Sequence, residues 1–208
     1  MLIFDMDGTL TDSNAVWKQV DIGFLRKRNL PYTQEYYEGV AHTTLTRAAV
    51  FVKDYCHLTE SCEEIIAEWM DMAGDAYAVQ VQAKPFVKAY LEHCRRAGQR
   101  MVVLTSAVPE HCYAALEHLG LRAYFEQIFL AQELDMDKSD PATYVYVAQQ
   151  MGERPENCTM FDDSVAACRS AKAAGMTAIG IYDEFFHVAW EEMNTVCDKA
   201  VHSFEELL

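Results

Sequence analysis

The chain has 208 residues, just over half of them hydrophobic, and its 17 basic against 32 acidic side chains give a net charge of −15. That length holds one domain with an insert or two small domains, and that charge excludes nucleic acid and anionic membrane surfaces as partners. It also repels a phosphorylated substrate unless a metal ion or a local basic group intervenes.

The first predicted element is the apolar run Leu2-Ile3-Phe4, which ends abruptly in Asp5-Met6-Asp7-Gly8-Thr9. Such a run reads as a buried parallel strand. Asp5 and Asp7 then fall at its carboxyl end, where open α/β sheets place their ligands. Two carboxylates so close need a cation between them or a proton on one of them. The alternative at this point is an ordinary Asp-Gly turn. Ser13 reads as the N-cap of a helix over residues 14–29, with apolar positions Val16, Trp17, Val20, Phe24 and Leu25, closed by Pro31. Residues 34–38 make a short helical turn ended by Gly39. A helix over 43–56 follows, and a capping box at Ser61-Cys62-Glu63-Glu64 opens a longer one through Ile65, Ile66, Trp69 and Met72. No stretch from 14 to about 83 reads as a strand, so this block is expected to be a helical bundle.

From Pro85 onward helices and strands alternate. A helix over 86–97 ends at Gly98, and Arg100–Thr105 is a strand. Pro109 opens a helix ending at Gly120, and Ile128–Leu130 is a strand. A helix over 141–151 stops at Gly152, Cys158–Phe161 is a strand, and a helix over 164–174 ends at Gly175. Thr177–Ile181 is a strand, and a weak last strand precedes a capping box at Ser203–Glu206. This alternation predicts βαβ units and an α/β fold, a Rossmann-like, doubly wound and mainly parallel sheet. The expected division is a core of residues 1–13 and 84–208 with residues 14–83 inserted. The seven cysteines form no Cys-x-x-Cys pair and are expected as free thiols; His-Cys neighbours such as His93-Cys94 lack metal-ligand spacing. The strand begins at Leu2 and no apolar run reaches membrane-spanning length, so a cytoplasmic protein without a signal peptide is expected. A monomer is the default expectation.

The strand ends carry the chemistry in order: Asp5 and Asp7, then Thr105-Ser106, then Lys138 in the loop after the third strand, then Asp162-Asp163-Ser164. In this arrangement the chain resembles the haloacid dehalogenase-like phosphotransferase superfamily, whose motifs match Asp5-Met6-Asp7-Gly8-Thr9, Val103-Leu104-Thr105, Lys138 and Asp162-Asp163. The insert is similar to the small helical cap of the phosphoglycolate phosphatase and β-phosphoglucomutase branch. The resemblance implies a magnesium-dependent phosphatase of a small phosphorylated metabolite, working through an aspartyl-phosphate. Asp5 would be the nucleophile and Asp7 the general acid and base. Asp5, the Asp7 carbonyl and Asp163 would hold Mg²⁺, with Asp162 as a further ligand or a support. Thr105, Ser106 and Lys138 would bind the phosphoryl group. Substrate choice would rest with the cap, where Trp17, His42 and Thr43 are the candidates. A sugar-phosphate mutase is the alternative. The lysine motif departs from the family pattern in reading Lys138-Ser139-Asp140, with acidic flanks at Asp135, Asp137 and Asp140.

Overall fold

The computed structural model describes residues 1–40 and 45–208. They divide into two compact units, one of residues 1–14 and 81–208, the other of residues 15–80.

The first unit is built on six parallel strands. β1 (Leu2–Phe4), β4 (Met101–Thr105), β5 (Gln127–Leu130), β6 (Thr159–Asp162), β7 (Thr177–Ile181) and β8 (Lys199–Val201) lie in the order β5-β4-β1-β6-β7-β8. Counted along the chain within this sheet, that is the doubly wound order 3-2-1-4-5-6, whose direction of growth reverses between β1 and β6. Three apolar residues suffice for β1 because both neighbours pair with it in parallel, Phe4 standing opposite Val103 and Phe161. Its side chains alternate between the two faces of the sheet. Ile3 joins a core with Val102, Leu104, Phe129, Tyr144 and Met160. Phe4 stacks on Phe161 with centroids 4.5 Å apart, among Tyr90, Phe125 and Phe204. Each such aromatic pair adds ~1 kcal/mol to the burial itself.

The helices of this unit are α5 (Val87–Arg96), α6 (Pro109–His118), α7 (Pro141–Gln150), α8 (Val165–Ala173) and α9 (Trp190–Val196). Two short strands, β2 (Thr11–Asp12) and β3 (Gln82–Ala83), pair antiparallel. The sequence pattern predicts neither of them, nor α9. A two-residue strand shows no periodicity to detect, and α9 follows a 3₁₀ segment, Glu184–Ala189, whose apolar residues read as irregular. The capping box at Ser203 and Glu206 is formed, but on a 3₁₀ turn over Phe204–Leu207.

The second unit contains α1 (Ala15–Lys27), α2 (Gln34–Val40), α3 (Leu45–Tyr55) and α4 (Cys62–Val79). Val20, Phe24, Ala49, Val52, Ile65 and Trp69 are buried in it, and Phe24 meets Trp69 edge-on at 5.5 Å. The capping box at α4 is complete: Glu64 N donates to Ser61 Oγ at 3.2 Å and Ser61 N to Glu64 Oε2 at 2.7 Å. Gly39 does not end a helix, as its sequence position suggests, but lies inside α2. A Cβ there would come 2.1 Å from the Phe51 ring, so close packing accounts for the glycine. Among the described residues no helix is long and apolar enough to cross a membrane.

Candidate active site

The chain leaving β1 closes into a tight loop over the Met6 carbonyl, which accepts from the backbone N–H groups of Thr9, Leu10 and Thr11 and from Thr11 Oγ1 at 3.0 Å. Gly8 permits this loop with φ +79°. Lys84 Nζ holds it from outside, donating to Gly8 O at 2.8 Å, to Tyr182 O and to Asp183 Oδ2 at 2.8 Å. Lys84 and Asp183 form a buried ion pair that joins the Asp7 loop, the residue after β3 and the end of β7. Ser13 does not serve as the N-cap its position suggests. Its hydroxyl donates to Asp7 Oδ1 at 2.5 Å and contacts Thr11 Oγ1 at 2.7 Å.

Parallel register places Asp5, Thr105 and Asp162 at the carboxyl edge of β1, β4 and β6. Asp5 is 5 % exposed. Its Oδ1 accepts from Lys138 Nζ at 2.5 Å, while the buried Oδ2 finds no partner among the described residues. Lys138 Nζ also lies 2.7 Å from Asp162 Oδ2, an ion pair whose angle falls outside hydrogen-bond geometry. Asp162 Oδ1 accepts from Ser164 N, and Asp163 Oδ2 accepts from Asn14 Nδ2 at 2.6 Å. The loop bearing Lys138 is fixed by three hydroxyls: Tyr144 donates to Lys138 O, Thr143 to Asp137 O and Ser170 to Ser139 O. Its acidic flanks serve the backbone. Asp140 caps α7 through Ala142 N, and Asp137 accepts from Ser139 N.

Burial sets the electrostatics. It pushes Asp5 up to about 7 despite the pull of Lys138, with Asp162 and Asp7 adding to the rise. It also holds Asp163 well above the usual carboxylate range, reinforced by Asp5 and Asp162. Burial alone would lower Lys138, but Asp162 and Asp5 outweigh it and keep the ammonium charged. Two buried carboxylates, Asp5 and Asp162, thus share one ammonium, and oxygens of Asp5, Asp162 and Asp163 lie within 4.8 Å of one another. The unpartnered Asp5 oxygen and the surplus negative charge fit a small divalent cation. An all-oxygen donor set suits Mg²⁺ rather than a thiolate- or imidazole-seeking metal.

The structure therefore brings Asp5, Lys138, Asp162 and Asp163 together, with Asp7 two residues from Asp5 on the same loop. Thr105 Oγ1 accepts from Ala107 N at 3.0 Å, and Ser106 is exposed with its carbonyl bonded by Gln132. Trp17 is half-buried on α1 in the other unit, and His42 and Thr43 lie outside the described residues. Asn14, Lys84 and Asp183 are contributors that the sequence pattern does not single out. Only the position of Lys84 at the return from the insert, just before Pro85, marks it.

Three comparisons bear on this site. A family profile described as haloacid dehalogenase-like hydrolase matches residues 1–175. A fructose-1-phosphate phosphatase from Escherichia coli is 28 % identical over 181 residues, which cover 86 % of this chain and 95 % of that one. A phosphoglycolate phosphatase from Pseudomonas putida is 26 % identical over 196 residues, 90 % of this chain and 71 % of that one. Among solved structures, a Thermotoga maritima protein provisionally designated a β-phosphoglucomutase superposes with a TM-score of 0.83 at 21 % identity. The match covers 96 % of this chain and 93 % of that one, a likeness of fold.

Proposed function

This chain belongs to the haloacid dehalogenase-like hydrolase family, and from that premise we propose that it is a magnesium-dependent phosphatase of a small phosphorylated metabolite, working through an aspartyl-phosphate on Asp5. One observation carries the reading. Asp5 presents a buried carboxylate with one oxygen held by Lys138 and the other without a partner. That is the state of a nucleophile aimed but not consumed by the fold. The relatives named for fructose 1-phosphate and phosphoglycolate support a small phosphorylated carbohydrate or acid as the substrate class.

In the first step a carboxylate oxygen of Asp5 bonds to phosphorus as the ester P–O bond breaks, and Asp7 gives its proton to the leaving oxygen. In the second, Asp7 takes a proton from water, water bonds to phosphorus, and the Asp5–phosphorus bond breaks to release phosphate. The hydroxyls around Asp7 suit it to carry that proton. Three contacts run from Asp7 Oδ1 through Ser13 and Thr11 to Met6 O. Lys138 balances charge on the phosphoryl group, and Asp162 keeps the ammonium in place. Thr105 Oγ1, used as an acceptor by Ala107 N, retains its own hydrogen for a phosphoryl oxygen. Asp5, the Asp7 carbonyl and Asp163 would hold Mg²⁺, which when bound neutralises the anionic substrate and polarises its phosphoryl oxygens. Residues of the inserted unit, Trp17 among them, would select the leaving group.

A panel of phosphate monoesters assayed with and without Mg²⁺ tests the proposal. Mg²⁺-dependent release of phosphate is expected, and Asp5→Asn should lower it by more than about 10³-fold. Retention of substantial turnover in that variant would sink the mechanism. Conversion of β-glucose 1-phosphate to an isomer without free phosphate would favour the mutase.

A further inference from the structure

One side chain grips Asp163, and neither the strand-end pattern nor the family resemblance singles it out. Asn14 Nδ2 donates to Asp163 Oδ2 at 2.6 Å, across 149 positions of sequence. The bond fills the space beside the Gly8 Cα. A Cβ built there would stand 2.0 Å from Asp163 Oδ2 and 2.1 Å from Asn14 Nδ2. Gly8 is therefore required twice, by its backbone and by the two side chains that meet over it.

Asp163 is 6 % exposed, and the amide ties one of its oxygens while leaving the other for a cation. A neutral donor orients the carboxylate without cancelling its charge, whereas a Lys or Arg in its place would compete with the ion. Asn14 is also the last residue of the sheet unit, and α1 begins at Ala15. The same bond thus anchors the chain where it leaves the sheet.

We infer that Asn14 is a positioning residue for the divalent-cation site, holding the Asp163 carboxylate in the orientation that binds the ion; this rests on the reading of Asp163 as a cation ligand. Calorimetric titration of Mg²⁺ into the substrate-free protein tests it, with Asn14→Ala and Asn14→Leu beside the wild type and metal-free melting measured for all three. Leucine copies the branched shape of asparagine without its donor. Both variants should bind Mg²⁺ about 10-fold or more weakly, with metal-free melting within a few °C of wild type. Binding within about twofold of wild type in both variants would overturn the inference. So would loss of the metal-free melting transition in both, which would assign Asn14 to the fold. Failure of the wild type itself to bind Mg²⁺ would overturn the reading of Asp163 instead, a separate and distinguishable result.

Discussion

At the scale of single residues, the site is a balance between burial and one ammonium. Asp5, Asp162 and Asp163 are each at most 6 % exposed, and Lys138 is the cation in contact with the first two. The Asp7 loop contains a further imperfection, because Thr9 is fully buried and its hydroxyl has no partner among the described residues. Thr9→Val keeps the shape and removes the unpaired group, so it should raise stability by about 1 kcal/mol. Denaturant unfolding measures this, and a loss of stability would show that the hydroxyl is bonded. Asp5, Asp7, Asp162 and Asp163 are legible in the sequence because each sits where a predicted strand stops, and Lys138 because it stands in the loop after the third. Asn14 with Asp163, and Lys84 with Asp183, are pairs 149 and 99 positions apart. Nothing local to either partner announces them, since only the closed fold sets them side by side.

Among the elements, the links between strand ends and helix starts aim the site. Asp162 closes β6, accepts from Ser164 N, and is followed at once by α8, whose cap is Ser164. Buried Ala167 and Ala171 let that helix lie close to the sheet, and Ser170 ties it to the lysine loop. Helices and long strands are legible because their apolar spacing runs for several turns or residues. The β2–β3 ribbon and the position of Gly39 inside α2 are not, because pairing and packing decide them. Gly39→Ala shows the conflict. Helix propensity favours alanine by ~1 kcal/mol, but the new Cβ would collide with Phe51, whose ring is stacked on Tyr55 at 5.2 Å. Overpacking of that kind costs ~1–3 kcal/mol. The variant should therefore lose about 1 kcal/mol in thermal or denaturant unfolding, and a gain would mean that the Phe51 ring moves aside freely.

For the molecule as a whole, buried carboxylates predict an unusual response to pH. Burial raises Asp5 to about 7 in the sheet unit, and it raises Asp21 to about 6 in the helical unit, where Tyr36 donates to it at 2.9 Å. Unfolded, both return near 3.9. The folded state thus holds these protons more tightly, and the stability they contribute is full below about pH 4 and is lost as pH rises through 6 to 7. The metal-free protein should melt at progressively lower temperature between pH 5 and pH 8. Mg²⁺ should recover part of the loss at pH 8, where the carboxylates are free to bind it. A flat or rising melting temperature over that range would contradict the burial account.

The central claim is that Asp5 receives the phosphoryl group before water does. Two in-line displacements return phosphorus to its starting configuration, whereas direct attack by water inverts it. The stereochemical course of hydrolysis of a chiral thiophosphate ester therefore tests the claim directly. The account predicts retention at phosphorus, and inversion would contradict it.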